Sequence, residues 1–296
     1  WTGIAIAGET LVGWQLEPMS AGGEASPLIL RDVTDRHGGR LTCGRDTAAQ
    51  QSLFRVEIPV AVGRESPETP WQAPAASRPE FYDFDLFQRS DENRALDEQP
   101  LAELAYTAFD TETTGLEPAR GDEIIQIGAV RIVNGRLLRQ ETFDRLVDPR
   151  LPLKPESVKI HGITEDMLRG QPTIDRVLPA FHEFCRETVL VAHNAAFDLR
   201  FLQLKEASTG VRFTQPVLDT LLLSAVVHVN QESHSLEAIA ERLGVNVIGR
   251  HTALGDAFVT AEVFLKLVPL LAAMGIVTLR QALAASQETY YARIQY

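Results

Sequence analysis

The chain has 296 residues, 45% hydrophobic and 23% charged, the composition of an ordinary globular protein, and its length suits roughly two domains at ~150 residues each. Its formal charge of −12 argues against a protein that wraps a duplex, because a large nucleic-acid footprint is basic. The imbalance is uneven: residues 1–103 carry 9 Lys and Arg against 17 Asp and Glu, while residues 104–296 carry 19 against 23.

Residues 1–62 read as a small α/β segment. Leu28–Val33 is strand- or helix-like, and His37-Gly38-Gly39-Arg40-Leu41 is a turn into a strand. Ser52–Pro59 alternates, with Leu53, Arg55 and Glu57 against Phe54, Val56 and Ile58, as a half-buried strand should. The stretch DRHGGRLTC…SLFRVEIPV resembles the closing segment of the ATP-binding domain of sensor histidine kinases. Residues 1–62 hold no Gly-rich lid or Asn box, so the resemblance implies a remnant of a kinase-type ATPase fold that binds no ATP. Gln50-Gln51-Ser52-Leu53-Phe54 approaches the clamp-binding pentapeptide of bacterial replication proteins, which would imply a sliding-clamp or polymerase contact. The same residues open the alternating strand, and that reading takes precedence. Residues 63–103 read as a Pro-rich linker: Pro67, Pro70, Pro74 and Pro79 fall within Gly63–Pro79, which cannot build a core and should be extended. Phe81, Tyr82, Phe84 and Phe87 follow, an aromatic cluster for packing on a neighbouring domain or docking a partner.

From residue 104 the pattern is α/β. Leu104–Thr111 reads as a strand, and Glu123–Val133 and Arg136–Val147 read as strands joined at Asn134-Gly135, a type I′ hairpin signal. Thr164 resembles an N-cap with Glu165 and Asp166 in the first turn. Val177–Glu187 looks helical, Val189–Ala192 is a short buried strand, and Phe197–Glu206 is an amphipathic helix. Leu236–Leu243 is another helix, closed by Gly244, and Ala253–Leu267 is a long one. Residues 276–296 are expected to form a helical tail. Strands of antiparallel type followed by strands alternating with helices imply a mixed sheet flanked by helices.

Cys43 and Cys185 make neither a zinc spacing nor a disulfide framework, so a reducing, cytoplasmic setting fits best. No apolar run reaches the ~18 residues of a membrane span: Asp219 interrupts Val217–Val229, and Lys266 and Pro269 interrupt Phe264–Val277. The chain starts at Trp1 with no initiator Met and reads as a piece of a longer protein, whose parent could be tethered to a membrane upstream.

Three short segments carry the chemistry. Asp110 and Glu112 are two apart at the end of a strand, so both side chains leave one face. Like charges at a buried strand end are costly unless cations or protons compensate. Asp198 opens a helix directly after Val189–Ala192, at the carboxyl end of a strand, where open α/β sheets place ligands. Asn194 reads as a cap there, and His193 as a residue that orients the turn. His251 stands on a loop five residues before Asp256, which falls in the first turns of the next helix. A neutral imidazole beside a cluster of acids is suited to take a proton from water.

FDTETTGL, IIQIGAV, HGIT, HNAAFDLRFL, LDTLLLS and HTALGDA follow in order through about Leu104–Leu271. In these motifs the chain resembles the DEDDh 3′–5′ exonucleases, the DnaQ-like family of the proofreading epsilon subunit of DNA polymerase III and of ribonuclease T. The tyrosine branch of that family would need Tyr where Thr252 stands. The resemblance implies an RNase H-like fold over residues 104–275. It implies two divalent cations, Mg²⁺ or Mn²⁺, on Asp110, Glu112, Asp198 and Asp256, with Asp110 bridging them. It makes His251 the residue that activates water. Thr113 and Leu116 should contact the terminal nucleotide, with Asn194 nearby and Phe201 as a pocket wall or as helix core. The substrate would be a single-stranded 3′ end, DNA before RNA, and the product a nucleoside 5′-monophosphate. A sensing module with vestigial hydrolysis is the alternative, prompted by the kinase-like N-terminal piece; the full set of five catalytic residues argues against it.

Overall fold

A computed structural model describes residues 18–21, 24–29, 34, 40–46, 51–57, 96–247, 249 and 251–289. The chain divides into two compact units, Trp1–Ala75 and Ala76–Tyr296. Residues 30–33, the Pro-rich stretch, Gln50 and the aromatics Phe81, Tyr82, Phe84 and Phe87 lie outside the described residues.

In the first unit β1 (Pro18–Ala21) pairs antiparallel with β2 (Glu24–Ile29), and β3 (Arg40–Asp46) with β4 (Gln51–Glu57). Cys43 is the register partner of Phe54 in the second ribbon. The alternation expected of β4 does not become burial at its end. Val56 is 40% exposed, like its exposed neighbours Arg55 and Glu57, and among the described residues β4 pairs only with β3. A strand in a two-stranded ribbon gains a dry face only where another layer covers it.

The second unit is α/β: a mixed five-stranded sheet in the order β7-β6-β5-β8-β9 with helices against it. The strands are β5 (Tyr106–Thr113), β6 (Ile124–Val133), β7 (Arg136–Leu146), β8 (Val189–Ala192) and β9 (Val217–Asp219). β5, β6 and β7 run antiparallel, and β5, β8 and β9 run parallel. Asn134 and Gly135 both take positive φ, 51° and 67°, as a type I′ turn demands. The helices are α1 (Pro155–His161), α2 (Glu165–Leu168), α3 (Ile174–Phe184), α4 (Ala195–Leu204), α5 (Glu206–Thr209), α6 (Thr220–Val227), α7 (Leu236–Leu243), α8 (Ala253–Ala273) and α9 (Leu279–Gln287).

β5 is buried at every position, as the central strand of a two-faced sheet must be. Its alternate residues feed two cores. Tyr106 and Ala108 pack with Val259, Val263 and Leu267 of α8, whereas Phe109 packs with Phe181 of α3 and Phe197 of α4. α8 runs six residues beyond the expected end at Leu267, with Pro269 inside it. Proline there removes one helical hydrogen bond, but Leu267 and Leu271 are fully buried, and that apolar stripe carries the helix through. The body also reaches past 104–275 at both ends. Leu101 joins the α8 core with Leu279 and Ala282 of α9, and Pro100 bridges to Thr278. Among the described residues no helix is long and apolar enough to cross a membrane.

Candidate active site

The site grows from the way helix α8 lands on strand β6. Gly128 is the register partner of Asp110. A Cβ at Gly128 would come within 2.1 Å of the Leu254 backbone nitrogen and 2.2 Å of the Ala253 carbonyl carbon. Only a residue without a side chain lets the helix start rest directly on the sheet there. Gln126, opposite Glu112, reinforces the landing: its Oε1 accepts from the Ala253 N–H at 3.3 Å, while its Nε2 donates to Asp144 at 2.7 Å. Thr252 caps the helix. Its hydroxyl accepts from the Gly255 N–H at 3.0 Å and donates to the Gly249 carbonyl at 2.8 Å. The position where the tyrosine branch would carry its phenol is thus a cap.

This landing brings Asp256, in the first turn of α8, onto the face of β5 that holds Asp110 and Glu112. The three carboxylates offer oxygens that all lie within 4.8 Å of one another. They are 5%, 6% and 4% exposed for Asp110, Glu112 and Asp256. The strand does not end at Asp110-Thr111, as the sequence suggested, but continues to Thr113, with a register shift between Glu112 and Thr113. Such a bulge re-aims side chains beside a site. His251 precedes Asp256 with a left-handed backbone, φ 60°, and its N–H donates to Asp256 Oδ2 at 3.2 Å. His251 itself is exposed.

Asp198 arrives separately. It is fully buried in the first turn of α4, and its Oδ1 accepts from both the backbone N–H and the hydroxyl of Thr111, at 3.1 and 2.5 Å. Thr111 sits between Asp110 and Glu112 along β5, so Asp198 is tied to the strand at the residue between the two acids. It is not one of the three clustered carboxylates. Behind it stands Asp219, at the end of β9. Its carboxylate accepts from the N–H of Asn194 at 3.0 Å, Ala195 at 2.8 Å and Leu221 at 2.9 Å. Burial pushes Asp219 up to about 6 against the pull of those N–H groups, and the charge of Asp198 adds to the rise. Asn194 is the N-cap residue of α4, at φ 57°, but its side chain makes no capping bond; Asp219 does that work through the backbone. His193 orients the turn as expected, with Nδ1 at 2.9 Å from the Thr220 hydroxyl.

The expected substrate contacts sort differently. The Thr113 hydroxyl donates to the Gly115 carbonyl at 2.7 Å, so it shapes the following turn. Leu116 rides on that turn, partly buried against the α3–α4 core. Asp122 ties the turn together, accepting from the Glu117 N–H at 2.9 Å, Lys154 at 2.5 Å and Thr114 at 3.3 Å. Phe201 is a correction to the pocket-wall reading. It is 1% exposed and packs at 5.1 Å on Phe197, the helix-core reading of the two the sequence left open. Sequence reasoning missed Thr111, Gln126, Gly128 and Asp219 as parts of the site. The signal for Asp219 was available, an acid directly before the apolar run of a helix.

A family model described as an exonuclease, RNase_T, matches residues 107–264. A DNA polymerase III subunit epsilon-like protein of Rhodobacter capsulatus is 46% identical over 281 residues, 94% of this chain and 39% of the relative. A PolC-type DNA polymerase III of Caldanaerobacter subterraneus is 41% identical over 171 residues, 58% of this chain and 12% of the relative. The chain therefore spans well under half the length of the curated relatives it matches. The nuclease domain of 3′hExo, a DEDDh family member bound to rAMP, superposes with a TM-score of 0.51 at 19% identity, covering 60% of this chain and 96% of that one. Exonuclease I of E. coli, in complex with a dT13 oligonucleotide, gives 0.50 at 17% identity over 58% of this chain and 43% of that one. At these identities the two structures speak for the RNase H-like fold.

Proposed function

The chain belongs to the RNase_T exonuclease family, and from that membership we propose that it removes nucleotides from the 3′ end of a single-stranded nucleic acid by hydrolysis. The observation that carries the reading is the trio Asp110, Glu112 and Asp256, buried with oxygens within 4.8 Å of one another. Three carboxylates so placed repel one another unless positive charge joins them. The donors are all oxygens, the set that hard divalent cations prefer. Asp110, Glu112 and Asp256 would hold two such ions, Mg²⁺ or Mn²⁺, with Asp198 completing the shell from the Thr111 side. When bound, these ions neutralise developing charge on the phosphoryl group and make water easier to deprotonate.

The rest of the chemistry belongs to the chain. His251, on the open side of the trio, takes the proton of the attacking water; its backbone tie to Asp256 keeps it beside the acids. The turn carrying Leu116, braced by Asp122 and Lys154, meets the terminal nucleotide. Thr113 contributes through that turn and Asn194 through the helix start. Breaking the phosphorus–oxygen bond to the penultimate 3′-oxygen leaves a nucleoside 5′-monophosphate. DNA is the favoured substrate because the relatives are named as parts of DNA polymerase III. The same names support a polymerase or sliding-clamp partner. The proposed catalytic residues all follow residue 104, so we place the activity in residues 104–275, braced by Leu101 before them and by Leu279 and Ala282 of α9 after them, with 1–62 dispensable for chemistry. The test is digestion of matched DNA and RNA oligonucleotides, by the full chain and by one lacking residues 1–62. Faster loss of RNA, or a dead truncated protein that remains folded, would reverse the corresponding part.

A further inference from the structure

One buried polar atom near the site lacks a use in this scheme. His161, the last residue of α1, is 8% exposed. Its Nδ1 accepts the backbone N–H of Ile163 at 3.0 Å across the left-handed Gly162. An accepting Nδ1 carries no proton, so in the neutral ring the proton sits on Nε2. That Nε2 is buried and has no hydrogen-bond partner among the described residues. An unmet buried donor costs free energy, and a native structure that keeps one calls for an explanation.

The surroundings point to the explanation. Ile163 packs on Ile125 of β6, and the next residue, Gln126, is the register partner of Glu112. The His161 loop is therefore anchored one residue from the strand pair that bears the acids. Burial, and then the charge of His251, hold the His161 ring down at about 4. The ring is thus close enough to His251 to feel it and stays neutral at working pH. It cannot serve as a second base, since its one acceptor is already taken by Ile163.

We propose that His161 is a substrate-binding residue whose Nε2–H donates a hydrogen bond to a non-bridging oxygen of the phosphate under attack beside His251. The inference rests on the exonuclease reading for the identity of that phosphate. A neutral donor fits the place. It grips an anionic oxygen without adding a cation that would compete with the acids, and its tautomer is fixed before substrate arrives. Substrate entry displaces the neighbours that cover Nε2 and replaces an unmet donor with a charge-assisted bond.

The test compares the full chain with His161→Asn and His161→Gln. The Asn side-chain oxygen can still accept from Ile163 but carries no donor at the Nε2 position; the longer Gln amide reaches it. The readouts are the cleavage rate of a labelled oligonucleotide and the affinity for thymidine 5′-monophosphate against thymidine, each with the divalent cation present. His161→Asn is expected to lose roughly 10- to 100-fold in kcat/KM, the worth of one hydrogen bond to a charged group. It should lose monophosphate affinity, keep thymidine affinity and keep the wild-type cation dependence, and His161→Gln should recover part of the loss. An Asn variant with wild-type rate and monophosphate affinity overturns the proposal. So does an equal loss for thymidine and its monophosphate, or a Gln variant no better than Asn. If the wild-type chain cleaves nothing, the exonuclease reading fails instead, and the monophosphate-against-thymidine comparison still decides the role of His161.

Discussion

Single residues divide into those that act on substrate and those that hold the actors. Phe201 is fully packed against Phe197, so Phe201→Ala should cost about 3–5 kcal/mol of stability, the usual loss for a buried phenylalanine. Urea unfolding measures this. A variant of unchanged stability with a raised KM would restore the pocket-wall role. His251→Ala is expected to lose most turnover while calorimetry still finds the cation binding, because His251 is proposed as a base and not as a ligand. Loss of cation binding would make it a ligand. The grouping of Asp110, Glu112 and Asp256 was legible in the ordered motifs that resemble the DEDDh exonucleases, since spacing alone gives only a face on a strand or a turn of a helix. Asp198 was legible as an acid at a helix start, but not its grip by Thr111, whose hydroxyl lies 87 residues away along the chain. The donor of His161 was invisible too, since it depends on which ring nitrogen the Ile163 backbone occupies.

At the scale of elements, the function hangs on one crossing, the start of α8 over β6. Gly128→Ala puts a methyl carbon about where the Leu254 nitrogen already is, 2.1 Å away. The helix start must lift, carrying Asp256 and His251 with it. We expect a loss of cation affinity and a fall in turnover of at least roughly 100-fold, the scale on which misplacing catalytic groups by ~1 Å acts. Titration calorimetry with Mg²⁺ beside the cleavage assay checks both. A Gly128→Ala chain with normal affinity and rate would show that the crossing is not what aligns the acids. Local signals made several elements readable: the Asn134-Gly135 turn, the four-residue β8, and α7 closed by Gly244 in a left-handed conformation. They failed where tertiary packing outweighs them. Pro269 reads as a helix end, yet Leu271 is buried in the core cluster and α8 continues. The expected burial of Val56 failed for the converse reason, since among the described residues the ribbon of β3 and β4 pairs with no further strand.

For the whole molecule, pH acts through buried histidines. Folding holds the His161 ring at about 4, against ~6.5 in an unfolded chain. Between those values the unfolded chain binds the extra proton, so stability is complete above ~6.5 and is lost as pH falls toward 4. Burial lowers His228 and His234 as well, so they act in the same direction. Asp219, raised by burial to about 6, acts oppositely, its contribution fading as pH rises from about 3.8 to 6. The difference in melting temperature between pH 7 and pH 5 should therefore be smaller in His161→Asn than in the wild type; an equal difference would mean that His161 is not held neutral by the fold. The net charge of −12 belongs to the same scale. Cations on the clustered acids would bring residues 104–296 close to neutral, which suits a grip on a short strand end. These acids, loaded with divalent cation, are proposed to shorten strands from the 3′ end. The most direct test is a time course on a 5′-labelled linear single strand beside a circular one, with Mg²⁺ or with excess EDTA, for the wild type and Asp110→Ala. The expected result is a ladder of progressively shorter labelled products with Mg²⁺, released nucleoside 5′-monophosphates and an intact circle. EDTA should stop the reaction, and Asp110→Ala should slow it on the order of 10³-fold or more, the range associated with losing a main electrostatic contribution to catalysis. A cut circle, digestion in EDTA, or an active Asp110→Ala chain would contradict it.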